Sequence, residues 1–183
     1  MCPNINITYT YKVLEYDNPM LAGSMGCYCS HLEVLNLIYK NKEKLSIVLE
    51  DDMNINEHFL PTINSIKGSL IDKKHPDIIY LGTTNKKPGI GRKLKTYRYI
   101  PFSNLRKLSS IVLGLYAYAT SYEGARRIVE STIETDRQID NKIYELVKNK
   151  KALENVYIVS DPITHYDSVV YKSQIATINN ETH

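Results

Sequence analysis

The sequence predicts an α/β protein in which a mostly parallel sheet is flanked by helices. Two short apolar runs, residues 44–49 and 76–81, have the length and hydrophobicity of strands buried on both faces. A helix-like segment separates them, so we expect a strand–helix–strand crossover with parallel strands. At 183 residues, the chain is long enough for one domain with a hydrophobic core.

Composition and charge narrow the class of protein. Hydrophobic residues make up 43% of the chain and charged residues 23%, which is typical of a globular domain. The net charge of +3 is too small to argue for a nucleic-acid partner. No apolar run approaches the roughly 18 residues of a membrane span, and the first residues have no signal-peptide pattern. Three cysteines do not make a disulfide framework, so we expect a cytoplasmic protein.

The strand predicted over residues 44–49 ends in three consecutive acids, Glu50, Asp51 and Asp52. Open α/β sheets bind ligands beyond the carboxyl ends of their strands. Three carboxylates there repel one another unless a cation or a basic partner lies among them, and oxygen ligands suit Mg²⁺ or Mn²⁺. The alternative interpretation is a strand end that meets water and caps the next helix.

A helix is expected to begin near residue 23, after a half-buried strand over residues 5–11. We expect His31, on this helix, to be packed or hydrogen-bonded in the same cleft as the acids. Cys27, Cys29 and His31 do not predict a zinc site, because residues two apart on a helix point in different directions. No second Cys or His cluster follows at zinc spacing.

The elements after the acids continue the alternation of helices and strands. The remaining helices are expected over residues 57–71, 124–131 and 137–148, the first capped by Asn54 or Asn56. Residues 111–119 form another apolar segment, and a final strand is expected over residues 156–160. Asp140 falls in the first turn of the last helix, where the helix dipole favours a carboxylate. His165 follows the end of the last strand.

Residues 83–107 predict a long basic loop, because eight Lys and Arg residues are interleaved there with Gly and Pro. Long loops inside compact domains are often lids or binding loops. Three interpretations of the loop are open. It clamps the anionic groups of a phosphorylated ligand, binds nucleic acid, or is a solvated surface loop without a binding role.

Several segments together resemble glycosyltransferase family 25, which includes bacterial lipooligosaccharide galactosyltransferases and animal collagen galactosyltransferases. The first is Gly26-Cys27 followed by Ser30-His31, and the second is the acidic strand end. The others are residues 77–82, 117–126, 139–140 and 162–166. Each is weak alone, but their order and spacing over residues 23–170 are specific. Family members begin with a further strand–helix unit that residues 1–22 do not match, so we expect a shortened member, a partial chain or a relative that no longer binds nucleotide.

The resemblance implies a single GT-A-like, Rossmann-like domain over residues 1–183, with residues 171–183 as a tail. It also implies a UDP-sugar donor, most often UDP-galactose, and Mn²⁺ or Mg²⁺. Because Glu50 and Asp52 share one face of a strand end, Asp52 is expected to bind the metal and Glu50 the ribose or a metal-bound water. His165 is expected to complete the metal site.

The remaining site residues follow from the same resemblance, from the basic loop and from the expected cleft. Asp140 is expected to act as the general base that takes the proton from the acceptor hydroxyl during an inverting transfer. The nucleotide-sugar site is expected to comprise Glu50, Asp51, Asp52, His31, Arg92 and Lys93, of which the last two clamp the diphosphate.

Three functions therefore compete. The first is an inverting, metal-dependent glycosyltransferase that moves a hexose to a glycan or a hydroxylated protein. The second is a catalytically inactive GT-A-like module that binds a partner or a glycan. The third is a nucleic-acid-binding protein, against which stand the modest net charge and the acids, because acids repel phosphate. Metal-dependent binding of a uridine nucleotide distinguishes the first from the others.

Overall fold

The computed structural model describes residues 20–70, 75–82, 96–99, 104–108, 114–132, 138–148, 152–161 and 163–166. The helices in these ranges are α1 (Met20–Asn41), α2 (Phe59–Leu70), α3 (Tyr122–Thr132) and α4 (Ile139–Lys148). The strands are β1 (Ser46–Leu49), β2 (Met53–Ile55), β3 (Ile78–Tyr80), β4 (Thr96–Tyr99), β5 (Leu105–Leu108), β6 (Ala117–Thr120), β7 (Val156–Val159) and β8 (Thr164–Tyr166). None of these helices is both long and apolar enough to cross a bilayer.

The α/β class is confirmed, but the main sheet is mixed. Its strand order is β1-β6-β3-β7-β5-β4. Among the described strands of this sheet only β3 and β7 pair in parallel, and the other four pairings are antiparallel. The prediction of a mostly parallel sheet is therefore not confirmed. Strand β6 lies between β1 and β3 and is antiparallel to both, so the two strands of the expected crossover run in the same direction without being neighbours.

Strand β1 lies at an edge of the described sheet and is not the fully buried strand that the sequence predicted. Val48 packs against the core, but Ile47 is 36% exposed and Leu49 39% exposed. An apolar run of this length does not reveal how many neighbours the strand has, which is why the prediction placed it too deep in the sheet.

The second half of the expected basic loop contains a pair of strands. Strands β4 and β5 pair in antiparallel fashion, and β5 adds the pair to the sheet beside β7. Leu105 and Leu108 are buried at the two ends of β5, and this apolar anchoring outweighs the basic residues between them. Residues 83–95, with Arg92 and Lys93, lie outside the described ranges.

The sheet separates two hydrophobic layers. Tyr80 and Tyr118, which are opposite each other on β3 and β6, face the layer that contains α1, α3 and α4. Ile79 and Ala119 face the other layer, which α2 covers with Ile63 and Ile66. This division follows from the alternation of side chains along a strand. Functional groups on α1, α4, β3 and β6 are thereby placed on one face of the sheet.

The end of α1 sets the start of β1. Lys42 has a φ of 54°, a left-handed conformation that is typical of the residue after a helix. Its N–H donates to the carbonyl of Tyr39, and the N–H of Glu43 donates to that of Ile38. These two bonds form a Schellman motif and turn the chain sharply from the helix into the sheet.

Asp77 is a structural residue at the amino end of β3. Its carboxylate is fully buried, and it accepts hydrogen bonds from Arg127 at 2.6 Å and from the backbone N–H groups of Glu154 and Asn155 at 2.8 Å. The three bonds connect β3 to α3 and to the segment that leads into β7. The carboxylate therefore stabilises the sheet at the end opposite the acids.

A small second sheet connects the acids with the C-terminal segment. Strands β2 and β8 pair in antiparallel fashion. Thr164 of β8 also forms a parallel bridge with Gly82, which follows β3. A Cβ atom on Gly82 would overlap the Oγ1 atom and the carbonyl oxygen of Thr164, so only glycine permits this approach.

Helix α3 packs closely on the segment before β3, and this predicts a measurable difference between two glycines. A Cβ atom on Gly124 would overlap the carbonyl oxygen of Asp77, so Gly124→Ala should lower the free energy of unfolding by about 1–3 kcal/mol. A Cβ atom on Gly26, within α1, would meet nothing within 4 Å, so Gly26→Ala should raise it by up to about 1 kcal/mol. Urea unfolding of the two variants tests this, and equal stability of both would contradict the packing.

Candidate active site

The acidic segment lies where β1 turns into β2. The N–H of Glu50 donates to the carbonyl of Tyr116 at 2.8 Å, which keeps Glu50 in line with β1. Asp51 and Asp52 then form a turn. The alternation of faces that applies along a strand therefore stops at Glu50, and Asp51 is exposed at the turn.

His31 connects helix α1 with this strand end. Its Nε2 atom lies 3.2 Å from Glu50 Oε1, and its Nδ1 atom lies 3.1 Å from the Tyr118 hydroxyl. The imidazole is buried, whereas the Glu50 side chain is 27% exposed. His31 is predicted to lie with the acids, and it contacts one of them, Glu50. The two contacts hold the ring at both of its nitrogen atoms.

The surroundings of His31 favour its protonated form. Burial alone lowers the pKa of a histidine, but hydrogen bonds to Cys27 and Glu50 and the electrostatic attraction of both side chains outweigh burial and raise the pKa of His31 to about 9. The resulting imidazolium donates from both nitrogens, to the Glu50 carboxylate and to the Tyr118 oxygen. At neutral pH, His31 therefore compensates the charge of Glu50.

Tyr118 is the inner partner of this arrangement. Burial, and then the charges of Glu50 and Cys27, raise the pKa of Tyr118 well above its ordinary range, so its hydroxyl stays protonated. The residue lies on β6 directly opposite Val48 of β1. The position of the histidine ring is thus set by the pairing of two strands.

Asp52 has a different environment from Glu50. Burial raises the pKa of Asp52, and the charges of Glu50 and Asp51 raise it further. Its Oδ1 atom is buried and has no hydrogen-bond partner among the described residues. A buried carboxylate oxygen without a donor is unfavourable, and a bound cation would satisfy it.

The structure brings His165 to the same region. His165 lies in β8, and its backbone is opposite Asn54 of β2, two residues after Asp52. The topology therefore places the backbone of His165 near the acidic turn. Arg92 and Lys93 lie outside the described residues.

Asp140 lies on the α1 side of the sheet. It is in the first turn of α4, where its Oδ1 atom accepts a hydrogen bond from the N–H of Asn141 at 2.7 Å. Burial, and then the charge of Asp140, raise the pKa of Tyr80 above its ordinary range, so the carboxylate acts on the buried tyrosine beside Tyr118. Asp140 and Glu50 therefore act on neighbouring tyrosines in one layer of the protein.

Cys27 is the site residue that sequence reasoning set aside. Ligand atoms of Cys27, His31 and Glu50 all lie within 4.8 Å of one another. Cys27 and His31 are four residues apart on α1, and this spacing, rather than the two-residue spacing of Cys27 and Cys29, places side chains together on a helix. Cys27 carries a free thiol, whereas Cys29 takes part in a disulfide bond.

With this geometry in view, the comparison with known families is decisive. The family model for glycosyltransferase family 25, described as an LPS biosynthesis protein, matches residues 3–143. The chain belongs to glycosyltransferase family 25. The match includes α1, the acidic turn, β3, β6, α3 and Asp140, and it begins 20 residues before residue 23, where the resemblance could first be read.

A curated relative carries a more specific name. Over 73 residues the chain is 34% identical to procollagen galactosyltransferase 1-B of Xenopus laevis. The aligned segment is 39% of this chain and 12% of that relative. The chain therefore corresponds to a small part of the longer protein.

The contact between His31 and Glu50 predicts a pH dependence of stability. The pKa of His31 is about 9 in the folded protein and about 6.5 in the unfolded chain, so the folded state binds this proton more tightly. The stabilisation is fully present below about pH 6.5 and is lost as the pH rises through about 9. NMR titration of the His31 ring should give a midpoint near 9, and Glu50→Gln should lower it.

A matched control uses the exposed pair of His58 and Glu57, which are 3.6 Å apart. Glu57→Gln makes the same chemical change away from the site and should leave the titration of His31 unchanged. A midpoint near 6.5 in the wild-type protein would contradict the electrostatic account.

Proposed function

We propose that the chain is an inverting, metal-dependent glycosyltransferase that moves a hexose, galactose, from a UDP-sugar to a hydroxyl acceptor. Membership of family 25 supports glycosyl transfer, and the name of the Xenopus laevis relative supports galactose. The observation that carries the metal dependence is the buried Oδ1 atom of Asp52, which has no hydrogen-bond partner among the described residues.

Asp52 and His165 are the residues proposed to hold the metal. Carboxylate oxygen and imidazole nitrogen together suit Mn²⁺, and an all-oxygen set with water suits Mg²⁺. Glu50 is less suited to be a direct ligand than the sequence suggested, because its Oε1 atom is already bonded to His31. A divalent cation at Asp52 would act as a Lewis acid that neutralises charge on the departing diphosphate.

His31 prepares the site for an anionic donor. Three uncompensated carboxylates would repel a diphosphate, but the imidazolium cancels the charge of Glu50. The negative charges of Asp51 and Asp52 then remain, and a bound divalent cation would balance them. Glu50 is held in place by His31 and is proposed to bind the donor ribose through its second oxygen. Arg92 and Lys93 remain proposed contacts of the diphosphate.

Asp140 is the proposed general base. The acceptor oxygen attacks the anomeric carbon, the bond from that carbon to the diphosphate oxygen breaks, and the acceptor proton passes to the Asp140 carboxylate. Attack from the face opposite the leaving group inverts the anomeric configuration. Support comes from the position of Asp140 at the start of α4, a helix on the same side of the sheet as α1, and from the effect of its charge on the pKa of the buried Tyr80.

The acceptor is proposed to be a glycan or a hydroxylated protein. The family description names lipopolysaccharide biosynthesis, which points to a glycan hydroxyl. The name of the Xenopus laevis relative points to procollagen. Both acceptors present an alcohol oxygen, so the same general base serves either.

Calorimetric titration with UDP-galactose, with and without Mn²⁺, tests the proposal. The wild-type protein should bind the donor only with Mn²⁺, and Asp52→Ala should weaken binding at least tenfold because the unpaired oxygen is removed. Asp140→Asn should bind the donor like the wild type, because the proposed base acts on the acceptor. With a panel of glycan and hydroxylysine-peptide acceptors, the rate of UDP release by the same variant should be at least a hundredfold lower than that of the wild type.

Two outcomes would contradict the proposal. Metal-independent binding that is equal in Asp52→Ala would exclude Asp52 as the metal ligand. A folded wild-type protein that binds neither UDP nor UDP-galactose would favour an inactive binding module.

A further inference from the structure

We propose that Cys27, His31 and Glu50 form a second metal site, which binds Zn²⁺ and is distinct from the site proposed at Asp52. Within the described part of the chain they are the single group of three Cys, His, Asp or Glu residues whose ligand atoms all lie within 4.8 Å of one another. The inference does not depend on the proposed function, because it concerns metal binding without nucleotide.

The distances between the ligand atoms fit a small tetrahedral ion. Zn²⁺ binds imidazole nitrogen and carboxylate oxygen at about 2.0–2.2 Å, which places two such ligands about 3.3 Å apart in a tetrahedron. The His31 Nε2 to Glu50 Oε1 distance is 3.2 Å. Cys27 adds a sulfur one helical turn from His31, so two of the three ligands come from one face of α1.

The groups around the His31 ring are those that usually surround a metal-binding histidine. A metal-binding histidine usually uses its second ring nitrogen to bond a polar group that fixes the ring. Here the Tyr118 hydroxyl bonds Nδ1 at 3.1 Å, which leaves Nε2 directed at Glu50 and available to a metal. Tyr118 is itself fully buried, so the ring has little freedom to turn away.

The donor set selects the class of ion. A thiolate, a carboxylate and a neutral imidazole carry two negative charges, which a divalent cation balances. One sulfur, one nitrogen and one oxygen suit borderline-soft Zn²⁺ and do not suit Mg²⁺ or Mn²⁺. On binding, Zn²⁺ would displace the proton between His31 and Glu50 and the proton of the Cys27 thiol, and both protons would pass to solvent. Three protein ligands leave a fourth position for water.

The zinc site would connect two elements, helix α1 and the end of strand β1, through the side chains of its three ligands. Cys27 and His31 belong to α1, and Glu50 follows β1 at the start of the acidic turn. A bound ion would fix Glu50 and leave Asp52 free for the donor metal. Binding should therefore raise the melting temperature, because the ion binds the folded chain and not the unfolded one.

Titration of the metal-depleted full chain with Co²⁺, the spectroscopic substitute for Zn²⁺, tests the proposal without nucleotide. One equivalent should produce thiolate-to-cobalt charge-transfer absorption that Zn²⁺ abolishes. Cys27→Ser should remove this absorption, and Tyr118→Phe should weaken binding by about tenfold. Glu57→Gln, which removes an exposed carboxylate away from the site, should leave absorption and affinity unchanged.

The same titration contains the results that would overturn the proposal. A folded wild-type protein without charge-transfer absorption would overturn it, and so would unchanged absorption in Cys27→Ser. If Cys27→Ser does not fold, Glu50→Gln replaces it. This variant keeps the thiol and should bind Co²⁺ at least tenfold more weakly, and an unchanged affinity would overturn the three-residue site.

Discussion

His31 is the residue on which the geometry of the acidic end depends. Its ring is held between the Tyr118 hydroxyl in the core and the Glu50 carboxylate at the edge of the sheet. A buried cation is tolerated only when it is paired, and both partners are fixed by strands. The contact therefore connects α1, β1 and β6 at one point and sets the position of Glu50.

This contact gives the three acids different roles. Glu50 is compensated by a protein cation, Asp51 faces solvent, and Asp52 has a buried oxygen without a donor among the described residues. The proposed donor metal therefore belongs at the Asp52 end of the acidic segment, where this oxygen has no donor. The β2–β8 pairing brings the backbone of His165 to the same end, because the small sheet begins directly after Asp52.

The sequence predicted the local structure better than the neighbours of each strand. The apolar runs of β1, β3 and β7 were recognisable, as was the cap at Asn56, whose side chain accepts from the N–H of His58. The insertion of β6 between β1 and β3 could not be predicted, because strand order depends on tertiary packing. The grouping of Cys27 with His31 and Glu50 was missed for the same reason. Its one local signal was the four-residue spacing of Cys27 and His31 on α1.

An anomalous diffraction map from crystals grown with Mn²⁺ and UDP would test the central claim most directly. The account predicts a manganese peak bonded to Asp52 Oδ1 and to the diphosphate, with Glu50 still paired to His31. A manganese peak between Cys27, His31 and Glu50, with Asp52 left unbound, would contradict the separate roles of the acids.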